Sequence, residues 1–327
     1  MFNELKNGKR LLIEAELKPI QGDRFQPTGF ADLGAATFAR PDGTRMLLVE
    51  SAQSIANRLE STIIGPDNEL IEGFKGLPYI RVNLTGAGDT TTNSLLEAHR
   101  INSPFIISDA EFQANFLVAS EYERQKPLNW QKIAAAIIKY DVNSLLHGVF
   151  LSNLVDGRVK MPRVISGFIE AENVQEVVSG GVKNNHLDPT GTLQAKAFQK
   201  NVYGNVPYHR VEFTAGKITA YFNIDISLLQ IYAGKNDDLF NLLMGLSLYK
   251  TQTFLEEGMR LRTACDLKVI EQLSVIEPKD FTIPSNEVLL AKVKESISNC
   301  KTLFADPPVT VINTETIVVK KEKAEED

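Results

Sequence analysis

Apolar and polar residues alternate through Arg10–Leu17, where Leu-Leu-Ile is followed by Glu14-Ala15-Glu16-Leu17, and Pro19 ends the run. A period of two predicts a strand with one face on a core. Gln21–Gly29 has two glycines and a proline in nine residues and predicts a loop, with Arg24, Phe25 and Gln26 at its middle. Ala35–Ala39 and Met46–Val49 flank the turn signal Pro41-Asp42-Gly43-Thr44, so a hairpin follows. The period then lengthens. Ala52, Ile55, Ala56 and Leu59 form one stripe of a helix that Ser51 caps, with Ser54, Asn57 and Arg58 on its other side.

Further along, Leu77–Leu84 predicts a strand, Asp89 or Thr90 to Arg100 a helix, and 109–123 and 129–140 two more helices. The last of these is apolar nearly all round at Ile133-Ala-Ala-Ala-Ile-Ile and should be buried. From Arg158 the texture turns to β. Val164–Glu170 and Ile218–Leu229 predict strands, separated by a Gly- and Asn-rich stretch at 179–206 whose length predicts a functional or mobile connection. Asp237–Glu257 predicts a long helix, Thr263–Ile276 a strand, Ser285–Asn299 a capped helix and Pro307–Val319 an edge strand, before a charged tail at 320–327. Strands alternating with helices predict α/β or α+β, with no internal repeat.

Composition bounds this picture. The chain has 327 residues, 43% hydrophobic and 23% charged, which excludes a mostly disordered protein and allows one large domain or two ordinary ones. No stretch approaches the ~20 apolar residues of a membrane span, and the start has no signal-peptide apolar region, so the expected location is the cytoplasm, away from membranes. Cys265 and Cys300 are too few for a zinc cage and are expected as free thiols.

The net charge of −6 argues at first sight against a nucleic-acid binder. Counted by segment, it is 0 over 1–60, −4 over 61–130, +3 over 131–220 and −5 over 221–327. The local field on one face governs association with a polyanion, so a basic surface from 1–60 and 158–217 is permitted.

Familiar catalytic patterns are missing. Gly86-Ala-Gly88 lacks the rest of a phosphate loop or dinucleotide fingerprint, and no His-Glu-x-x-His, Cys-x-x-Cys or Gly-x-Ser-x-Gly occurs. His99 and His147 read as core histidines and His186 as a surface residue. His209, beside Arg210, reads as a strand residue or as a general acid with an anion clamp. Asp23 and Asp225 are lone carboxylates that can form turns or help bind a metal. What remains is a set of polar, guanidinium and aromatic groups: Arg24, Phe25 and Gln26; Ser54, Asn57 and Arg58; Lys183, Asn184 and Asn185; His209 and Arg210. Such groups hold phosphates and stack on unpaired bases. Each has a plain alternative: Arg58 can pair with Glu60 or Glu50, and Phe25 can tuck under its loop.

Several ordered blocks sharpen the reading. They include Glu14–Phe30, Leu33–Thr37, Leu48–Glu60, Thr92–Ser103, Pro162–Ala171, Ser179–Asn184, Gly204–Arg210 and Leu261–Leu267. Together they resemble the CRISPR-associated RAMP-superfamily backbone protein of the type I-G (formerly I-U) Cascade-like effector, the Csb branch of the Cas-seven group. The resemblance implies an α+β fold: an RRM-like (ferredoxin-like) palm with large insertions and an extended thumb-like loop or hairpin. That is one domain over 1–319, with a helical insertion near 61–157 and a thumb region near 172–216.

It further implies a non-catalytic subunit without a cofactor. Its partners would be the guide RNA (crRNA), the target DNA strand through guide pairing, further copies of itself and other subunits of the effector. A sequence-tolerant guide binder grips phosphate and ribose and leaves base edges free, a role that suits Arg24, Asn57, Arg58, Lys183 and Arg210. No RRM aromatic signature appears. Two other readings stand beside this one. The first is a RAMP-type ribonuclease using Asp23 with a metal or His209. The second is a small-molecule or protein-interaction domain, which the acidic total favours.

Overall fold

The computed structural model describes residues 2–30, 32–86, 89–155, 157–193 and 204–316. Strand β1 (Arg10–Pro19) buries Leu11, Ile13, Ala15 and Leu17, while Glu14, Glu16 and Lys18 alternate onto its other face. Thr37–Ala39 (β2) and Arg45–Glu50 (β3) form the expected hairpin, and in its turn Asp42 Oδ1 accepts the Thr44 amide at 2.9 Å. Helix α1 (Ala52–Ser61) begins where Ser51 Oγ accepts the Ser54 amide at 3.2 Å, and its buried stripe is Ile55, Ala56 and Leu59.

After an insertion come β4 (Ile165–Glu172), β5 (Gln175–Lys183), β6 (Val206–Thr214) and β7 (Lys217–Asp225). The long helix α2 (Asp237–Glu256) leads to β8 (Met259–Arg262), β9 (Cys265–Val269), β10 (Ser274–Glu277) and helix α3 (Asn286–Asn299). The main sheet runs β8-β9-β1-β7-β4-β3-β2, with β10 also on β1, and every pairing is antiparallel. Its centre is a β-α-β-β-α-β succession, β1-α1-β4-β7-α2-β9, whose strands lie side by side as β9-β1-β7-β4. The fold is therefore mixed α and β around an antiparallel sheet.

α1 packs on β4, and α2 on β8 and β9, so both helices cover the same face of the sheet. α2 is buried on nearly all sides, including Leu239, Leu242, Leu243, Met244 and Leu246. Each such side chain stabilises the fold by about 1.5–3 kcal/mol. α3 packs on α2 at Gly245, where a Cβ would lie 2.9 Å from Val293 Cγ2, so a larger residue there must displace the Val293 side chain.

The insertion carries a small sheet in which Tyr79–Gly86 pairs with Thr90–Asn93 and, in parallel, with the edge strand Val309–Thr316. Its helices are Pro104–Ile107, Ala110–Ala119, Trp130–Tyr140 and Val142–His147, and Ile133, Ala134, Ala136, Ile137 and Ile138 are buried as expected.

Four expectations need correction. Residues 90–93 form a strand rather than the start of a helix, because the β-branched Thr90-Thr91-Thr92 pairs with Asn83 and its neighbours. Asn93 then turns its side-chain Oδ1 onto the Leu95 and Leu96 amides, and His99 is exposed rather than in the core. The strand expected to reach Leu229 stops at Asp225, whose carboxylate caps a helix at Ile226–Ala233 through the Leu228 amide at 2.9 Å. Thr263–Ile276 is two short strands. Only the ends of 179–206 are paired: Ser179–Lys183 belongs to β5 and Val206 to β6, and 194–203 lies outside the described residues, as does the tail. Cys265 and Cys300 are free and buried. No helix among the described residues is long and apolar enough to cross a membrane.

Candidate nucleic-acid interface

β4 and β7 do not end at the edge of the sheet. Each continues into a hairpin strand, β5 and β6, paired from Gln175↔Thr214 to Lys183↔Val206. The change of direction falls at Asn173, whose φ is 55°, opposite Gly216. The hairpin is tied to the Gln21–Gly29 loop, because Phe25 and Phe213 exchange both backbone bonds at 2.9 Å. Beyond this tie the hairpin stands clear of the core, with Val178 72% exposed and Val182 and Val206 also open.

A groove of about 720 Å³ lies between the hairpin and the loop. Gln26 and Gly34 line one wall, Glu176, His209 and Arg210 the other, and Arg262 sits among them. Arg262 is held in place by Gln26 and Val49: its Nη1 donates to their carbonyls at 3.1 and 3.2 Å.

Two buried carboxylates organise the guanidinium groups. Glu212, on β6, receives Arg24 Nη1 at 3.2 Å and Ser179 Oγ at 2.7 Å, and Arg210 Nη1 lies 3.9 Å away. Glu50, at the end of β3, receives Arg58 Nε at 3.0 Å, and it also meets Ser54 Oγ and the Arg262 guanidinium. Burial lowers the pKa of Arg58 and of Arg262 and pushes the nearby Cys265 thiol up to about 11.

The residues singled out from the sequence therefore separate into groups. Arg24, Gln26, His209 and Arg210 gather at the groove and the hairpin base, and Arg24 is 56% exposed. Phe25 is at the same place but 0% exposed: the ring lies under its loop and offers no face to a base. Ser54 and Arg58 are bound to Glu50, and Arg58 Nη2 also donates to the Leu261 carbonyl at 2.5 Å, so this guanidinium is a tie within the fold. Asn57 accepts from Gln53 Nε2 at 2.9 Å and lines a separate depression with Glu60 and Arg100. Lys183, Asn184 and Asn185 stand at the far end of the described hairpin, where Asn185 Oδ1 accepts the Leu187 and Asp188 amides.

Asp23 is exposed, and Asp225 is taken by Arg10 at 2.6 Å as well as by its cap. His147 is the buried histidine expected, with Nε2 2.9 Å from Lys250 Nζ, and His186 is exposed. Among the described residues no group of three or more His, Cys, Asp or Glu is placed to hold a metal ion.

Tyr208, Glu212 and Arg262 belong to the site without a local signal in the sequence. Glu212 finds its partners 33 and 188 positions away, and Arg262 reaches back 236 to Gln26. Only alternation along Val206–Thr214, read as a strand, would have put Tyr208, Arg210 and Glu212 on one face.

The fold and groove define a mixed α/β protein with an antiparallel sheet and a projecting hairpin beside a guanidinium-lined cleft. The family described as CRISPR-associated protein GSU0053 matches residues 11–176, about half of the chain, and the chain belongs to that family. No curated relative matches. Among solved structures, a chain described as "CRISPR RNA-guided surveillance complex, pre-nicking" aligns with a TM-score of 0.40 at 13% identity, covering 75% of this chain and 71% of its own. Csc2 of Thermofilum pendens aligns with a TM-score of 0.30 at 9% identity, covering 92% of this chain and 78% of its own.

Proposed function

We propose that the chain is a non-catalytic, crRNA-binding backbone subunit of a type I CRISPR interference complex, the RAMP-superfamily protein of the Csb branch in a type I-G Cascade-like effector. In this reading the β-α-β-β-α-β sheet is an RRM-like palm, the segment from about 61 to 157 its helical insertion, and the hairpin within 172–216 its thumb. The observation that carries the proposal is the hairpin rising from the two central strands beside a groove of guanidinium, imidazole and amide groups. Membership of a CRISPR-associated family supports it.

The groove is suited to a strand held by its backbone. Arg210 and Arg262 in its lining, and Arg24 on Glu212 at the hairpin base, offer charge, and Gln26 and His209 offer hydrogen bonds, without a pocket closed around one base. Copies set along the spacer RNA would leave base edges free for the target DNA strand. The complex, with its other subunits, works in the cytoplasm.

The test is RNA recovered with the purified chain, together with labelled guide RNA incubated with and without Mg²⁺. Bound, intact RNA is expected. Cleavage that disappears in Asp23→Ala or His209→Ala would replace this reading with a ribonuclease.

A further inference from the structure

Tyr208 is a half-exposed aromatic, 48% open to solvent, on a hairpin with no core behind it. Its orientation is nevertheless set from two sides. Gly181 lies directly across the strands, and a Cβ there would come within 3.1 Å of Tyr208 Oη and 3.3 Å of Cζ. The ring thus leans across a position of β5 where a side chain would push it away. Two residues along β6, the Arg210 guanidinium carbon lies 5.3 Å from the ring centroid, over the ring. Arg210 is restrained in turn by Glu212, which Ser179 and Arg24 also hold. Tyr208, Arg210 and Glu212 occupy alternate positions of one strand and so share a face.

We infer that Tyr208 and Arg210 form a stacking seat for one unpaired nucleobase, with Glu212 as the positioning residue that aims the guanidinium. The inference rests on the RNA-binding reading above and assigns it a contact that backbone gripping does not require. An aromatic–guanidinium pair offers π-faces and a charge together, so it takes any base and places its phosphate near Arg210 and Arg24. The seat accepts bases by stacking, without hydrogen bonds to their edges. It is therefore indifferent to sequence.

The test uses the full chain and single-stranded RNAs carrying one 2-aminopurine, moved stepwise along the strand, with fluorescence and affinity read together. In the unaltered protein, fluorescence should change on binding at particular positions of the strand. Tyr208→Leu should abolish that change and weaken binding by about tenfold, while Tyr208→Phe should retain both. Gly181→Val should remove the change with the circular dichroism unaltered. Glu212→Gln should weaken the change at the same positions without moving them. If RNA binds tightly and Tyr208→Leu gives the same signal and affinity, the seat is wrong and the RNA-binding reading survives. If the unaltered chain binds no RNA, both fall.

Discussion

Arg58 Nε donates to Glu50 Oε1 at 3.0 Å, and the Glu50 side chain has no exposed surface. From the sequence Arg58 was a candidate for gripping phosphate. Its partner makes it a strut that joins α1 to β3 and, through the Leu261 carbonyl, to β8. Removing it leaves a buried carboxylate with Arg262 as its remaining cation. Arg58→Ala should therefore lower stability by about 1.5–3 kcal/mol in urea unfolding. The same change at Arg24, an exposed ion pair, should cost no more than about 1 kcal/mol.

A second prediction concerns salt. If Arg24 and Arg210 each neutralise one phosphate of a bound strand, alanine at either position should make the log–log salt slope shallower by about 0.7. Affinity should fall by a similar factor for unrelated RNA sequences. Competition titrations with several RNAs check both outcomes; a loss confined to one sequence would count against backbone gripping.

A third prediction concerns pH. Lys250 is wholly buried on α2, with Nζ donating to Asn143 Oδ1 and 2.9 Å from His147 Nε2. Burial pulls its pKa down to about 7, although Glu60 and Asp141 favour its charge; Arg100 opposes it. Between pH 7 and the ordinary value of 10.5 the unfolded chain holds a proton that the folded chain has given up, so this group's contribution grows as pH rises. His147, kept well below 6.5 by burial and by Lys250, works in the same sense, and stability falls as acid protonates the unfolded chain. Asp141, whose pKa burial raises, acts in the opposite sense at the acid end. The melting temperature should be lower at pH 6 than at pH 9, and Lys250→Met should flatten that difference.

Local signals carried much of the architecture. Strand β1, the hairpin of β2 and β3, and α1 with its Ser51 cap were all legible because each is fixed by residues within a few positions. The helix expected at 89–100 failed because Thr90–Asn93 takes its structure from Tyr79–Gly86, a pairing that periodicity in one segment does not contain. Gly180-Gly181 broke the apolar alternation of β5 and made a paired strand look like part of a connection. The site was legible as a set of residue types at Arg24, Gln26, His209 and Arg210. It was not legible as a geometry, since Glu212, which holds Arg24 and Arg210, and Glu50, which holds Arg262, act across the tertiary fold.

The hairpin gives a fourth prediction. Replacing residues 177–211 by a short glycine turn leaves Phe213 on Phe25 and all of the main sheet in place. The shortened chain should melt within a few degrees of the full one and lose most of its RNA affinity. Retained affinity would move the interface away from the hairpin.

In the proposed function the chain lines a guide RNA in repeated copies. Native mass spectrometry of the full chain with single-stranded RNAs of increasing length tests it most directly. Bound copies should rise in steps as the RNA lengthens, each step spanning the same number of nucleotides. One copy at every length, or no complex at all, would contradict it.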